Sequence, residues 1–499
     1  MANNSLKKLF SDSVVYGLSS IVGRFLNYLL VPLYTYKIAA STGGYGVVTN
    51  MYAYTGLLLV ILTFGMETTF FYFANKKEHD WKRVFSTAQT AVGVVGMTFL
   101  AIIFALTGPI AGALDYTAHP EYIRIMATVV ALDAFQAIGF ALLRFEGKAW
   151  KFATLKLLFI ICNIALNLFI FLVAPGLAES HPGLMSWYNP SYQVGYIFVV
   201  NLICTACITL GFIPELRLLK WGIDGKLLKQ MLRYAWPLLL LGIAGMLNQV
   251  ADKICFRFIL PGQEGEVQLG IYGACVKIAM IMAMVTQAFR YAYEPFVFGN
   301  GNDKKGKESQ ALVMKYFVMF TLLGFLAVMC YLDMLRYIVK SDYWDGLRAV
   351  PIVMMAEIFM GIYFNLSFWY KQNEQTWWGA IFSTLGCVVL LAINFLFVPK
   401  YGYMACAWGG LAGYGVCMLC SYFVGRKISP VPYPIASIAG YFALAMGLYG
   451  ASEWLRPEAI GWRLALNTLL LLIYVAVVCY AERELFGKVV RKFVRRGRK

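Results

Sequence analysis

Charge is what this 499-residue chain has least of. Asp, Glu, Lys and Arg make up 14% of it and hydrophobic residues 60%, against about 25% charged in a soluble domain. Mean hydropathy is +0.65. This excludes a water-soluble globular domain and a disordered chain, and leaves an all-α polytopic membrane protein. Histidine is scarcer still. His79, His119 and His181 all fall in polar connections and apart from one another, which argues against a zinc site or a histidine-based triad. Long polar connections are missing too. The longest, about Pro214 to Arg233, is too short for a soluble catalytic lobe, so the chain reads as no enzyme. Acids are outnumbered, 26 against 43 Lys and Arg, for a net charge of +17. The basic excess sits in short loops and in the C-terminal tail, as the positive-inside rule describes, and so does not point to nucleic acid. The 11 cysteines lie almost entirely in apolar runs. Cys204 and Cys207, and Cys417 and Cys420, have C-x-x-C spacing with no histidine nearby, and read as small buried hydrophobes.

What is present is a series of apolar runs of about 20 residues or more, the length needed to cross a bilayer. About fourteen are expected, near 12–37, 45–73, 85–107, 122–143, 152–174, 191–212, 234–259, 269–298, 312–332, 348–370, 377–398, 403–425, 433–454 and 461–481. The first is too long for the apolar core of a signal peptide and lacks a small-residue cleavage site, so it is expected to remain as a span. Basic residues mark alternate connections: Lys76, Lys77, Lys82 and Arg83; Lys148 and Lys151; Arg217 to Arg233; Lys304, Lys305 and Lys307; Arg426 and Lys427; and the tail from Arg483 to Lys499. The stretches Asp115 to Glu121 and Ala174 to Tyr192 have none; Asp333 to Arg348, with Arg336 and Lys340, is the worst exception. The alternation predicts both termini in the cytoplasm.

Several charges nevertheless fall in or at the ends of spans: Arg24, Glu67, Asp133, Asp252, Lys253, Lys277, Arg290, Glu294 and Glu357. A guanidinium at mid-bilayer costs at least about 2.5–3.5 kcal/mol and cannot shed its proton. Such groups must face protein or a watery cavity, and a chain that keeps this many is built to move something charged.

The chain also repeats itself. Asp133-Ala134-Phe135 and Phe140 in span four answer Glu357-Ile358-Phe359 and Phe364 in span ten. Asn167-Leu168-Phe169-Ile170-Phe171 answers Asn394-Phe395-Leu396-Phe397, and Tyr45-Gly46 answers Tyr272-Gly273. Six spans per copy give both the same topology, hence parallel repeats. The expected organisation is a six-helix bundle over 1–213, a basic cytoplasmic linker over 214–233, a second bundle over 234–425, two extra helices over 426–481 and a basic cytoplasmic tail over 482–499. Two parallel bundles facing a central cavity, rocking to expose it to either side, make a transporter.

Gly23-Arg24, Val31-Pro32-Leu33-Tyr34, Phe64-Gly65-Met66-Glu67, Leu143-Arg144-Phe145-Glu146-Gly147, Asn248-Gln249-Val250-Ala251-Asp252-Lys253, Gln287-Ala288-Phe289-Arg290-Tyr291-Ala292-Tyr293-Glu294-Pro295 and Trp369-Tyr370-Lys371 follow in order through nearly the whole chain. In this order and spacing they resemble the polysaccharide-exporter branch of the multidrug/oligosaccharidyl-lipid/polysaccharide flippases. The resemblance implies a flippase for undecaprenyl-diphosphate-linked oligosaccharide (a capsule, O-antigen or exopolysaccharide unit). It implies alternating access driven by cation exchange, a bacterial inner-membrane location, and polysaccharide polymerase machinery and membrane lipids as neighbours. A monomer suffices for a cavity between two repeats.

For that substrate, fixed cations would replace the hydration of the diphosphate. Arg24, Lys277, Arg290 and Lys253 are the candidate substrate-binding residues. Lys277 and Arg290 are thirteen residues apart on one span, about 20 Å, so they serve different depths, with Lys277 nearer the outside. Lys253 follows Asp252 directly and points about 100° away from it on a helix, or snorkels to the interface. Arg290 and Glu294, at i and i+4, either pair within the helix or close a gate. Arg24 either binds substrate or pairs with Glu67, Asp133 or Asp252. Glu67, Asp133, Asp252, Glu294 and Glu357 are candidates for ion pairing or for carrying H+ or Na+, with no other cofactor and no metal expected. Pro32 can bend span one. A lipid II flippase, a multidrug exporter of the same superfamily and, more distantly, a membrane-embedded glycan polymerase or ligase are the alternatives. Arg24 and Lys277 count against the multidrug exporter, whose cationic drugs need acids at the cavity centre.

Overall fold

A computed structural model describes residues 28–76, 78–217, 222–299, 304–373 and 375–483, with side chains described outside 291–305. Among these residues all regular structure is helical, and thirteen helices are long and apolar enough to cross a membrane. Of the expected first span only the end is described, as α1 (Leu30–Lys37), in which Pro32 is the third residue. The remaining long helices are α2 (Gly44–Thr63) and α3 (Met66–Ala74), which together make one span, α4 (Trp81–Ala105), α5 (Pro120–Phe145), α6 (Ala149–Leu168), α7 (Gln193–Leu210), α8 (Gly225–Ile259), α9 (Gln263–Gly299), α10 (Lys304–Cys330), α11 (Val350–Leu366), α12 (Trp377–Tyr401), α13 (Tyr403–Ile428), α14 (Ile435–Leu455) and α15 (Ile460–Ala481). All eleven cysteines are free thiols.

Several helices depart from the expected boundaries, two of them for a clear local reason. The seventh span begins at Gly225, about nine residues early. Asp224 caps it, its carboxylate accepting from the Lys226 and Leu227 amides at 3.1 and 3.2 Å. The apolar face of the basic linker then finds a home: Leu227, Met231 and Ala235 are buried with Met66, Phe70, Phe85, Val130, Ile138 and Leu142 of α3, α4 and α5. The second span is broken in its middle. Phe64 (φ 35°) and Gly65 (φ 73°) both adopt the left-handed conformation, which costs a non-glycine residue roughly 1–2 kcal/mol. The Phe64 ring packs against the same core, which offsets the strain.

Packing groups the chain into two compact units. The first comprises the described residues up to Lys277, with Val339–Ala349 and Thr376–Val416; the second comprises Ile278–Ile338, Val350–Gln375 and the chain from Cys417 on. In the first unit α2 and α9 meet through small residues. A methyl group on Gly46 would collide with the Glu266 backbone, and one on Gly273 with Thr49. In the second unit the extra helices are fastened by Glu482, just past α15. Its carboxylate takes an ion pair from Lys315 of α10 and hydrogen bonds from Tyr441 of α14 at 2.7 Å and Tyr316 at 3.3 Å.

Burial alone would raise the Glu482 carboxyl, but the bonds from Lys315 and Tyr441 outweigh it and hold it below its ordinary value. The carboxylate therefore contributes stability above the unfolded value of about 4.3, and that contribution fades as pH falls through its own lower value. Glu482→Gln removes a charged partner, worth about 1.5–3 kcal/mol. Thermal unfolding in detergent at neutral pH is expected to show a midpoint lower by a few degrees, with the difference from wild type shrinking below about pH 4.

Candidate functional site

The candidate charges fall into three groups in the first unit and the second unit. On α8, Asp252 is buried and well supplied: Tyr272 donates to Oδ2 at 3.0 Å, and the Lys253 ammonium bonds both oxygens at 3.0 and 2.9 Å. Lys253 thus does not point away from its neighbour, as helical geometry alone suggests. Its four-carbon stem folds back because an uncompensated carboxylate in a low-dielectric interior costs several kcal/mol, more than the rotamer freedom lost. The ammonium also donates to the Gln249 carbonyl at 3.1 Å and lies 5.6 Å from the Tyr272 ring. The Lys253 carbonyl accepts from Asn50 at 2.8 Å, tying this group to α2.

Lys277 stands on α9, five residues beyond Tyr272, and is half-buried. Among the described residues it has no hydrogen-bond or ion-pair partner, and the charge that acts on it is another cation, Lys253. Of these two ammonium groups, Lys253 holds the buried carboxylate and Lys277 has none, leaving a local excess of positive charge. An anion would satisfy it.

The second group lies on α3, α5 and α6 of the first unit. Glu67 of α3 pairs with Arg144 of α5 at 3.1 Å, and the Arg144 guanidinium sits 5.1 Å from the Phe71 ring. Deeper on α5, Asp133 is half-buried beside the Thr205 hydroxyl of α7 and the Lys156 ammonium of α6. Lys156 rests 3.9 Å from the Phe140 ring and senses both Asp133 and Glu67, without an ion pair to either within 4.0 Å. Cations and acids alternate through this bundle as Arg144, Glu67, Lys156 and Asp133.

The third group belongs to the second unit. Arg290 of α9 is exposed, with its guanidinium 5.0 Å from the Phe364 ring and Thr286, Phe289, Asn365 and Phe368 around it. Glu357 is half-buried on α11. Arg24 lies outside the described residues, as does the side chain of Glu294, whose backbone is helical in α9.

Among the intramembrane cations that the sequence did not single out are Arg144, Lys156 and Arg257. The same signal that picked out Arg24 marks Lys156, a lysine seven residues inside an apolar helix. Arg144 and Arg257 stand in the last turns of their helices, where a basic residue reads as an interfacial one.

The Asp252–Lys253–Lys277 arrangement predicts an asymmetry in stability. Asp252→Ala leaves the Lys253 ammonium uncompensated beside a second cation, Lys277, and is expected to cost about 3–5 kcal/mol. The double variant Asp252→Ala with Lys253→Met is expected to recover most of that. Unfolding midpoints of the single and double variants in detergent measure the difference.

The sequence signature of a family described as "Polysaccharide biosynthesis protein" matches residues 9–292, more than half of the chain. A curated relative, "Lsg locus putative protein 1" of Haemophilus influenzae, is 21% identical over 446 residues, covering 85% of this chain and 99% of that protein. Among solved structures, "Lipid II flippase MurJ, inward closed conformation" superposes with a TM-score of 0.71 at 14% identity, over 96% of this chain and 100% of that one. The inward-facing structure of a multidrug resistance MATE family transporter of the MOP superfamily gives a TM-score of 0.63 at 14% identity, over 82% of this chain and 95% of that one. These likenesses establish the fold, a multi-pass membrane bundle of the MurJ and MATE kind.

Proposed function

The chain belongs to the polysaccharide biosynthesis protein family, and from that we propose that it is a flippase for undecaprenyl-diphosphate-linked oligosaccharide, not an enzyme. The observation that carries this reading is Lys277, a cation inside a span with a second cation, Lys253, as its charged neighbour and no acid of its own among the described residues. A cation kept inside a span without an anion is expensive. It is retained where a diphosphate arrives to neutralise it. Arg24 and Arg290 are proposed to meet the same headgroup at other depths.

In this reading the repeats 1–213 and 234–425 are the moving halves, and both termini face the cytoplasm. The connections around Asp115 and Leu260 then lie outside, in a bacterial inner membrane. The acids supply the drive. Asp133 and Glu67 in the first repeat, and Asp252, Glu294 and Glu357 in the second, carry H+ or Na+ in exchange for substrate, with Lys156 as a tethered cation that neutralises the first pair when no ion is bound. A drug exporter for organic cations fits less well, because the described surroundings of Lys277 repel a cation.

The test is reconstitution of the purified protein in liposomes with a fluorescent undecaprenyl-diphosphate oligosaccharide, following exposure of the label to an external probe. Wild type is expected to move it. Lys277→Met removes a charge-assisted contact of about 2 kcal/mol, so its rate below saturation is expected to fall about 30-fold. Transport of the substrate unchanged in Lys277→Met would return Lys277 to a structural role. Transport of a cationic dye in place of the lipid would overturn the reading.

A further inference from the structure

Arg257 lies in the last turn of α8, and its side chain is 8% exposed. Its Nη2 atom bonds the Glu266 carboxylate at the start of α9 at 2.6 Å and donates to the Asp115 carbonyl at 2.8 Å, with the Asp115 carboxylate 3.6 Å away. The guanidinium lies 3.8 Å from the Tyr116 ring centroid. The Tyr116 hydroxyl donates to Asn50 Oδ1 at 2.9 Å, and Asn50 donates to the Lys253 carbonyl at 2.8 Å. Gln263 reaches the Ser41 carbonyl at 3.1 Å beside the Gly46–Glu266 contact. One guanidinium therefore fastens the 115–116 connection of the first repeat to the α8–α9 corner of the second, and a chain of hydrogen bonds runs from it to the Asp252–Lys253 pair.

The pairing is lopsided. Both acids and the carbonyl crowd onto Nη2, while Nε and Nη1 are buried without a hydrogen-bond partner among the described residues. A structural Arg–carboxylate pair normally uses two parallel N–H donors. A buried N–H left unpaired is costly, and here two are left on a residue that already has anions within reach. A phosphate oxygen cluster can engage several guanidinium donors at once, which one carboxylate held by a single nitrogen does not.

We propose that Arg257 is a second phosphate-binding residue at the outward end of the path, and that an incoming diphosphate takes it over from Glu266 and Asp115. The two acids are then tethered competitors of the ligand, and their release loosens the closure that Arg257 holds. A ligand that binds the opened arrangement better than the closed one shifts the equilibrium toward opening by that difference. The inference rests on the function proposed above.

The test uses the full-length protein in detergent with farnesyl diphosphate as the probe, its affinity measured by calorimetry. Hydrogen exchange of the 110–118 segment reports closure in parallel. Arg257→Gln and Glu266→Gln both break the latch, so both are expected to speed exchange there. Their effects on affinity are expected to be opposite: Arg257→Gln weakens binding about tenfold or more, while Glu266→Gln tightens it several-fold by removing a competitor. Affinities that shift in the same direction would make Arg257 a latch alone and overturn the inference while leaving the function standing. Should Arg257→Gln not fold, Glu266→Gln decides by itself, since unchanged or weaker binding overturns the proposal. Inorganic pyrophosphate distinguishes a lipid headgroup from a free anion. It is expected to bind at least tenfold more weakly with the same order of variants, and equal affinity would overturn a lipid-linked ligand. Absence of any farnesyl diphosphate binding to wild type would remove the proposed function itself and the inference with it.

Discussion

A charge held away from water must find a partner, and the search for partners organises this protein. Asp252 is met by a lysine that bends back along its own helix and by a tyrosine from the next helix. Glu67 is met by an arginine about eighty residues later in sequence. Glu482 gathers a lysine and two tyrosines and so fixes the extra helices to α10. These contacts do more than offset desolvation. In a hydrocarbon setting apolar surface gives helices little reason to prefer one neighbour over another, so polar contacts and close packing decide which helices meet. Each acid therefore also specifies an arrangement. Lys277 departs from this pattern, with no ion-pair partner among the described residues, and that is why it carries the functional reading.

The membrane character and the limits of most spans were legible because each rests on a signal summed over many residues. A run of twenty apolar residues needs no partner to be recognised. Tyr45-Gly46 and Tyr272-Gly273 were legible as a matched pair, and they turn out to pack against one another's helices through Gly46 and Gly273. Partner choice was not legible. Nothing in the order of residues says that Arg144 belongs to Glu67, or that Lys253 turns toward Asp252 rather than to the interface. Such choices depend on which helices become neighbours, a property of the tertiary arrangement and not of any local window. Arg257 shows the limit clearly: at the end of a span its position is that of an interfacial anchor, and only the approach of Asp115, Tyr116 and Glu266 makes it a buried group.

Local strain was also hidden. The left-handed turn at Phe64 and Gly65 splits the second span two residues before Glu67. A phenylalanine has no intrinsic preference for that conformation. The break exists because the phenyl ring gains a place in the core and because Gly65 passes close to the Ala235 carbonyl of α8. It ends one run of helical hydrogen bonds and starts another in mid-span, which lets the segment carrying Glu67 be set at its own angle. Charge placement and backbone geometry are thus linked at one point.

The contact between Gly46 and the Glu266 backbone has a consequence of another kind. Side chains can rotate or bend to keep partial contact as two surfaces separate, so an interface made of them can open by degrees. Where main chain lies against main chain nothing is left to flex, and the seal is either whole or absent. A carrier with such a seam behaves as a valve with two positions, not as a leaky channel that widens. For a membrane across which ions are held out of balance, that is the property that lets a transporter pass its cargo without a stream of small ions beside it.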